Sequence, residues 1–195
     1  MKKTDKLILG LSIVTSVLAG SPAFSQNVEK IKNDTAKNIA TNLDGIELAH
    51  DTIIKMNVED ILKIYGNEKG LELIREHMLI EINKLRKEMN NYPPLKLNNI
   101  LNISSKKYSE YMSKNNHFSH TDKEGLRSSD RIKNEGGNFE IVGENLARGQ
   151  ESIEKVLDHR LNYSASHRKN LLFNLYTDLG VGYYNGYWVL NFGKK

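Results

Sequence analysis

Leu179-Gly-Val-Gly-Tyr-Tyr-Asn-Gly-Tyr-Trp-Val-Leu-Asn-Phe192 reads as two strands joined by a two-residue turn. Asn185-Gly186 is the turn: both residues tolerate positive φ, which a tight hairpin matched to strand twist demands. Val and aromatic residues fill the flanks from Leu179 to Tyr184 and from Tyr187 to Phe192. A further strand is expected from Phe139 to Val142. Strands therefore come late and are few.

The chain before them is helical in period. Leu71, Ile74, Met78, Ile82, Leu85 and Met89 recur at steps of three and four from about Gly70, giving an amphipathic helix that Pro93-Pro94 stops. A second helix is expected from about Asn98 to Lys114, with Leu101, Tyr108, Tyr111 and Met112 on one face. A third starts at an N-cap of Ser128 or Ser129 and ends at Gly136-Gly137. A fourth follows Ser152 and turns Ile153, Val156, Leu157 and Leu161 inward. Four helices and a small antiparallel sheet make an α+β layered domain over residues 70–195.

Upstream, Val58, Ile61, Leu62 and Tyr65 fit one helical face between a cap at Asn57 and a stop at Gly66. A looser pattern suggests a helix from Asn27 to about Asp44. Residues 26–69 thus read as a helical N-terminal extension that either packs on the domain, spaces it from a surface, or is partly disordered. Residues 1–25 read as a signal peptide, with Lys2, Lys3 and Lys6 before an apolar run from Leu7 to Ala19 and a small-residue site at Ala23-Phe24-Ser25. That run is shorter than the ~20 residues a spanning helix needs. The expectation is a secreted or periplasmic protein with no transmembrane helix after cleavage.

With 195 residues and 38% hydrophobic content, one substantial core can form. The absence of cysteine excludes disulfides, thiolate metal sites and a cysteine nucleophile. Losing residues 1–25 removes three lysines and one aspartate and lowers the formal net charge from +4 to +2. Basic and acidic residues are interleaved and no basic stripe emerges, which argues against a nucleic-acid partner.

Three separated segments carry the chemistry: His117-Phe118-Ser119-His120, Gly143-Glu144-Asn145-Leu146-Ala147, and Ser164-Ala165-Ser166-His167-Arg168-Lys169-Asn170. Gly, Ser and Asn place them in loops or at element ends. We expect the fold to bring His120, Glu144 and His167 together. Two neutral imidazoles and a carboxylate suffice as ligands for a divalent metal such as Zn²⁺ with a position open for water. Alternatively, Glu144 orients an imidazole whose other nitrogen serves as a general base. The third reading is a hydrogen-bonded clamp that ties the segments together. Ser119, Ser164 and Ser166 lie near histidines without a G-x-S-x-G elbow, so a serine nucleophile has little support. His50, His77, His117 and His159 read as surface or partly packed residues.

These segments resemble, in order, a known family. Asn83-x-x-Arg86, Pro94-Leu95-x-Leu97-Asn98, Phe118-Ser119-His120-Thr121, Asp130-Arg131-Ile132, Gly143-Glu144-Asn145-Leu146-Ala147 with Gly149, Ser164-x-x-His167-Arg168-x-Asn170-Leu171-Leu172 and Leu179-Gly180-Val181-Gly182 are similar to the bacterial branch of the CAP superfamily, the SCP-like extracellular domains. The resemblance implies an α-β-α sandwich, export, and a cleft lined by a His/Glu tetrad that holds a divalent metal in some members. His120, Glu144 and His167 match three tetrad positions; Ser164 stands at the fourth, and Leu161 replaces a usual tryptophan. His120, Glu144, Ser164 and His167 are therefore the candidate ligand-binding residues, and His120, Glu144 and His167 the candidate metal ligands. The function expected is a binding or interaction module for a small ligand, lipid or protein, with an extracytoplasmic metal-assisted hydrolase as the alternative.

Overall fold

The computed structural model describes residues 50–195 and, for residues 159–163, the backbone alone. The expected signal peptide and the helix from Asn27 to Asp44 lie outside the described residues, as do the side chains of His159 and Leu161. Helices α1 (His50–Ile53), α2 (Val58–Tyr65) and α3 (Asn67–Asn90) come first, followed by β1 (Lys96–Leu97), α4 (Asn99–Lys114) and α5 (Ser128–Asn134). Then come β2 (Ile141–Arg148), α6 (Ile153–Tyr163), α7 (Ala165–Leu172), β3 (Asp178–Tyr184) and β4 (Tyr187–Lys194).

The sheet runs β1-β3-β4-β2, with the expected hairpin β3–β4 at its centre. Asn185 and Gly186 both have positive φ, 46° and 79°, which closes the turn as the Asn-Gly pair requires. Strand β2 pairs antiparallel with β4 from Ile141 to Arg148. Two residues of β1 add in parallel to β3 at Asp178 and Leu179, so the sheet is antiparallel with one short parallel edge. Beyond β1 the edge of β3 is closed by side chains. Asn102 Oδ1 accepts from the Val181 N–H at 3.0 Å, and Arg75 Nε donates to the Val181 carbonyl at 3.0 Å. An edge so capped offers no template for another strand.

Helices lie on both faces, giving the α-β-α sandwich. Side chains alternate along the strands, so Leu179, Val181 and Tyr183 share one face with their partners Phe192, Leu190 and Trp188. That face packs with Ile74, Met78 and Ile82 of α3, Val58 and Ile61 of α2, and Ile153, Val156 and Leu157 of α6. Each fully buried aliphatic there contributes about 1.5–3 kcal/mol. The described part of the N-terminal extension therefore packs on the domain. On the opposite face, Tyr108 and Met112 of α4 meet Leu146, Tyr187 and Val189. Gly180 and Gly182 also face α4, and a Cβ on either would overlap the helix backbone at Leu101 and Ser105. Two absent side chains thus set how closely α4 lies on the sheet.

Three expectations change in detail. Helix α3 starts at Asn67, not near Gly70, and Gly70 lies inside its first turns, where a Cβ would come within 3.0 Å of Leu62 Cα in α2. Helix α5 has Ser128 as its first residue and is capped from Arg127, whose N–H donates to the Asp130 carboxylate at 2.9 Å. Strand β2 extends through Gly143 to Ala147, a stretch read as a loop or element end. Its polar residues can stay in the sheet because each finds a partner there.

Candidate functional site

Glu144 sits on β2 with its side chain only 3% exposed, so its carboxylate needs partners. It has two. Oε1 accepts from His120 Nδ1 at 2.8 Å and Oε2 from Arg131 Nη2 at 2.7 Å. His120 lies in the connection between α4 and α5. Facing a carboxylate, its Nδ1 carries the proton, which leaves Nε2 as the open nitrogen on a side chain 59% exposed. Among the described residues Nε2 has no partner.

Arg131, on α5, fastens the connection that carries His120. Its Nη1 donates to the Leu126 carbonyl at 2.7 Å, and Nη1 and Nη2 both reach the His120 carbonyl at 3.3 Å. The guanidinium also lies 3.4 Å from the centroid of the Tyr108 ring, a cation–π contact made almost wholly out of solvent. Tyr108 completes the hold by donating its hydroxyl to the Ser119 carbonyl at 2.6 Å. Burial pushes that hydroxyl up to about 12 against the lowering pull of the Arg131 charge. Helices α4 and α5 therefore grip successive carbonyls, Ser119 and His120, and fix the imidazole. Beside them a shallow pocket of about 200 Å³ has Tyr108, Tyr111 and Arg131 in its wall, and the buried Nε of Arg131 has no hydrogen-bond partner among the described residues.

The third segment meets β2 through Asn145. Asn145 Nδ2 donates to the His167 carbonyl at 3.1 Å, and Asn170 Nδ2 donates to Asn145 Oδ1 at 2.8 Å and to the Glu144 carbonyl at 3.1 Å. His167 is on α7, half-buried, and its N–H donates to Ser164 Oγ at 3.4 Å. Ser164 is the N-cap of α7, the helical-turn role its spacing suggests. Of the expected site, His120 and Glu144 are in direct contact, the His167 carbonyl accepts from the Asn145 side chain of the same strand, and Ser164 meets His167 as the cap of its helix. His117 Nε2 is bonded to the Thr121 carbonyl at 2.8 Å. His50 and His77 pair with each other at 2.6 Å, and His50 with Glu81 at 2.7 Å, away from these segments.

As a metal cage the trio does not fit. Both Glu144 oxygens are taken by His120 and Arg131, and among the described residues no three His, Asp or Glu side chains are grouped to hold an ion. The donor set suits an imidazole oriented by a carboxylate. Sequence reasoning missed Arg131 and Tyr108 as site residues. Asp130-Arg131-Ile132 carried the signal, since a buried glutamate calls for a cation, whereas Tyr108 was hidden in an ordinary core stripe.

A sequence model described as the Cysteine-rich secretory protein family, CAP, matches residues 79–192, and the chain belongs to that family. An uncharacterized protein of Bacillus subtilis, YkwD, is 32% identical over 108 residues, 55% of this chain and 42% of its own. The chain spans less than half the length of the curated relatives it matches. Among solved structures, an extracellular protein containing an SCP domain from Bacillus anthracis is similar with a TM-score of 0.58 and 30% identity, over 66% of this chain and 44% of that one. An outer surface protein from Borrelia burgdorferi follows at 0.57 and 27%, over 62% of this chain and 92% of that one. No helix among the described residues is long and apolar enough to cross a membrane.

Proposed function

We propose that this chain is an exported binding or interaction module whose exposed imidazole at His120 receives a small hydrogen-bonding ligand or a peptide group. The observation that carries this is the imidazole itself: Nδ1 fixed by Glu144, Nε2 presented at the surface on a side chain 59% exposed. A purely structural clamp has no need to leave its outer nitrogen exposed. Export is supported by the basic and apolar character of the N-terminus and by relatives described as extracellular or outer-surface proteins. Ligand recognition is tested by a fragment screen on the exported protein, following backbone amide shifts. Binders should perturb Ser119 to Thr121 and lose affinity in His120→Ala; fragments that bind elsewhere only would refute the reading.

The same dyad has the geometry of a general base, with the proton of an attacking water passing to Nε2. Turnover of peptide or ester libraries that is lost in both His120→Ala and Glu144→Gln would move the assignment to a hydrolase. The start of the mature chain is read by mass spectrometry of secreted material, and an N-terminus at Met1 would exclude signal cleavage.

A further inference from the structure

We propose that Arg131 takes the place of a metal ion in this cleft: its guanidinium is the resident cation of Glu144, and ligands meet His120 with no metal between. The inference rests on reading the cleft as a ligand site, and it states what kind of site that is. Glu144 Oε2 is 2.7 Å from Arg131 Nη2 and Oε1 is 2.8 Å from His120 Nδ1, so each oxygen already accepts a hydrogen bond, and among the described residues no three His, Asp or Glu side chains are grouped around an ion. A cation ligated by Glu144 would have to share the carboxylate with a guanidinium 10% exposed and 2.7 Å away, where like charges repel with little solvent between them.

Arg131 is moreover held in ways that a diffusible ion is not. It stacks at 3.4 Å on Tyr108 and donates to the Leu126 carbonyl at 2.7 Å. Being charged at all accessible pH, it cannot leave by titration. The carboxylates in the wall of the neighbouring pocket are committed elsewhere. Asp122 accepts from the Leu126 and Glu124 N–H groups of its own turn at 2.7 and 3.1 Å, and Glu135 pairs with Lys107 at 2.7 Å. What His120 leaves open is the lone pair of Nε2, an acceptor for a hydrogen-bond donor on the ligand.

The test is Zn²⁺ titration of the full exported protein by calorimetry, with wild type beside Arg131→Met. Wild type should show no saturable binding at micromolar Zn²⁺. Arg131→Met, with Glu144 released, should gain affinity by about 10–100-fold, the range over which groups contacting a ligand tune a metal site. Wild-type binding of one ion per chain, weakened in both His120→Ala and Glu144→Gln, would overturn the proposal, as would a folded Arg131→Met that gains nothing. Should Arg131→Met not fold, the double variant Arg131→Met/Glu144→Gln decides. A cooperative melting transition in the double variant supports the pairing, and a double variant that also fails to fold overturns it. Fragment binding read on chelator-treated protein separates the two readings. Binding lost with the metal would sink this inference and spare the ligand cleft, whereas a metal-free protein that binds nothing would sink the ligand reading.

Discussion

Glu144 and Asn145 are neighbours on β2 and serve different helices: the first meets His120 and Arg131 from the α4–α5 side, the second meets α7 through the His167 carbonyl and Asn170. Strand alternation makes this possible, because successive side chains leave opposite faces of the sheet. Replacing each by Ala should separate the two roles. Glu144→Ala leaves a nearly buried guanidinium unpaired and should cost about 3–5 kcal/mol. Asn145→Ala removes neutral hydrogen bonds and should cost about 1–3 kcal/mol. Urea unfolding of both variants checks the order, and equal losses would show that Glu144 is not the counter-ion.

His120→Ala should behave differently. Its side chain is mostly in solvent but it is the partner of Glu144 Oε1, so stability should fall by about 1 kcal/mol, well short of the Glu144→Ala loss, while ligand binding disappears. A large drop in melting temperature would mark His120 as a structural pin.

Tyr108 gives the pH dependence. Below about pH 10 the hydroxyl is protonated in folded and unfolded chains alike. The folded chain keeps the proton up to about 12, so between those values the unfolded state binds fewer protons and stability falls as pH rises. Tyr183 adds to the fall, pushed upward first by burial and then by its bond to the Glu59 carboxylate at 2.6 Å. Tyr108→Phe should lower stability at neutral pH by about 1 kcal/mol, through the bond lost to Ser119, and flatten part of the alkaline decline. An unchanged slope in melting temperature from pH 10 to 12 would refute this.

Arg86 locks α7 in place from inside. It is fully buried, and its guanidinium donates to the carbonyls of Pro93, Leu171 and Phe173 at 2.9, 2.9 and 3.0 Å. Arg86→Met keeps the volume but strands three carbonyls, and the expected cost is about 3 kcal/mol or more, read by denaturant unfolding. Arg86→Lys cannot reach all three and should recover only part.

Much of this arrangement was legible beforehand, for reasons that differ by element. The hairpin announced itself because Asn185-Gly186 encodes its turn locally, and α2, α3 and α4 because their apolar residues keep one face over several turns. Strand β2 was masked, since Glu144 and Asn145 are tolerable in a sheet only with partners that lie far along the chain. Two residues of β1 are too few for any pattern. The contact of His120 with Glu144 could be anticipated from residue types alone. That of Arg131 could not, because it depends on where the seven-residue α5 docks.

The glycines under α4 have a kinetic meaning as well. Because a Cβ at Gly180 or Gly182 would overlap the backbone of Leu101 or Ser105, helix and strand meet backbone to backbone there, leaving no room for water between them. Their amides should be among the last to exchange with deuterated solvent, opening only in global unfolding. The connection bearing His120 is held by a handful of polar bonds and should exchange early.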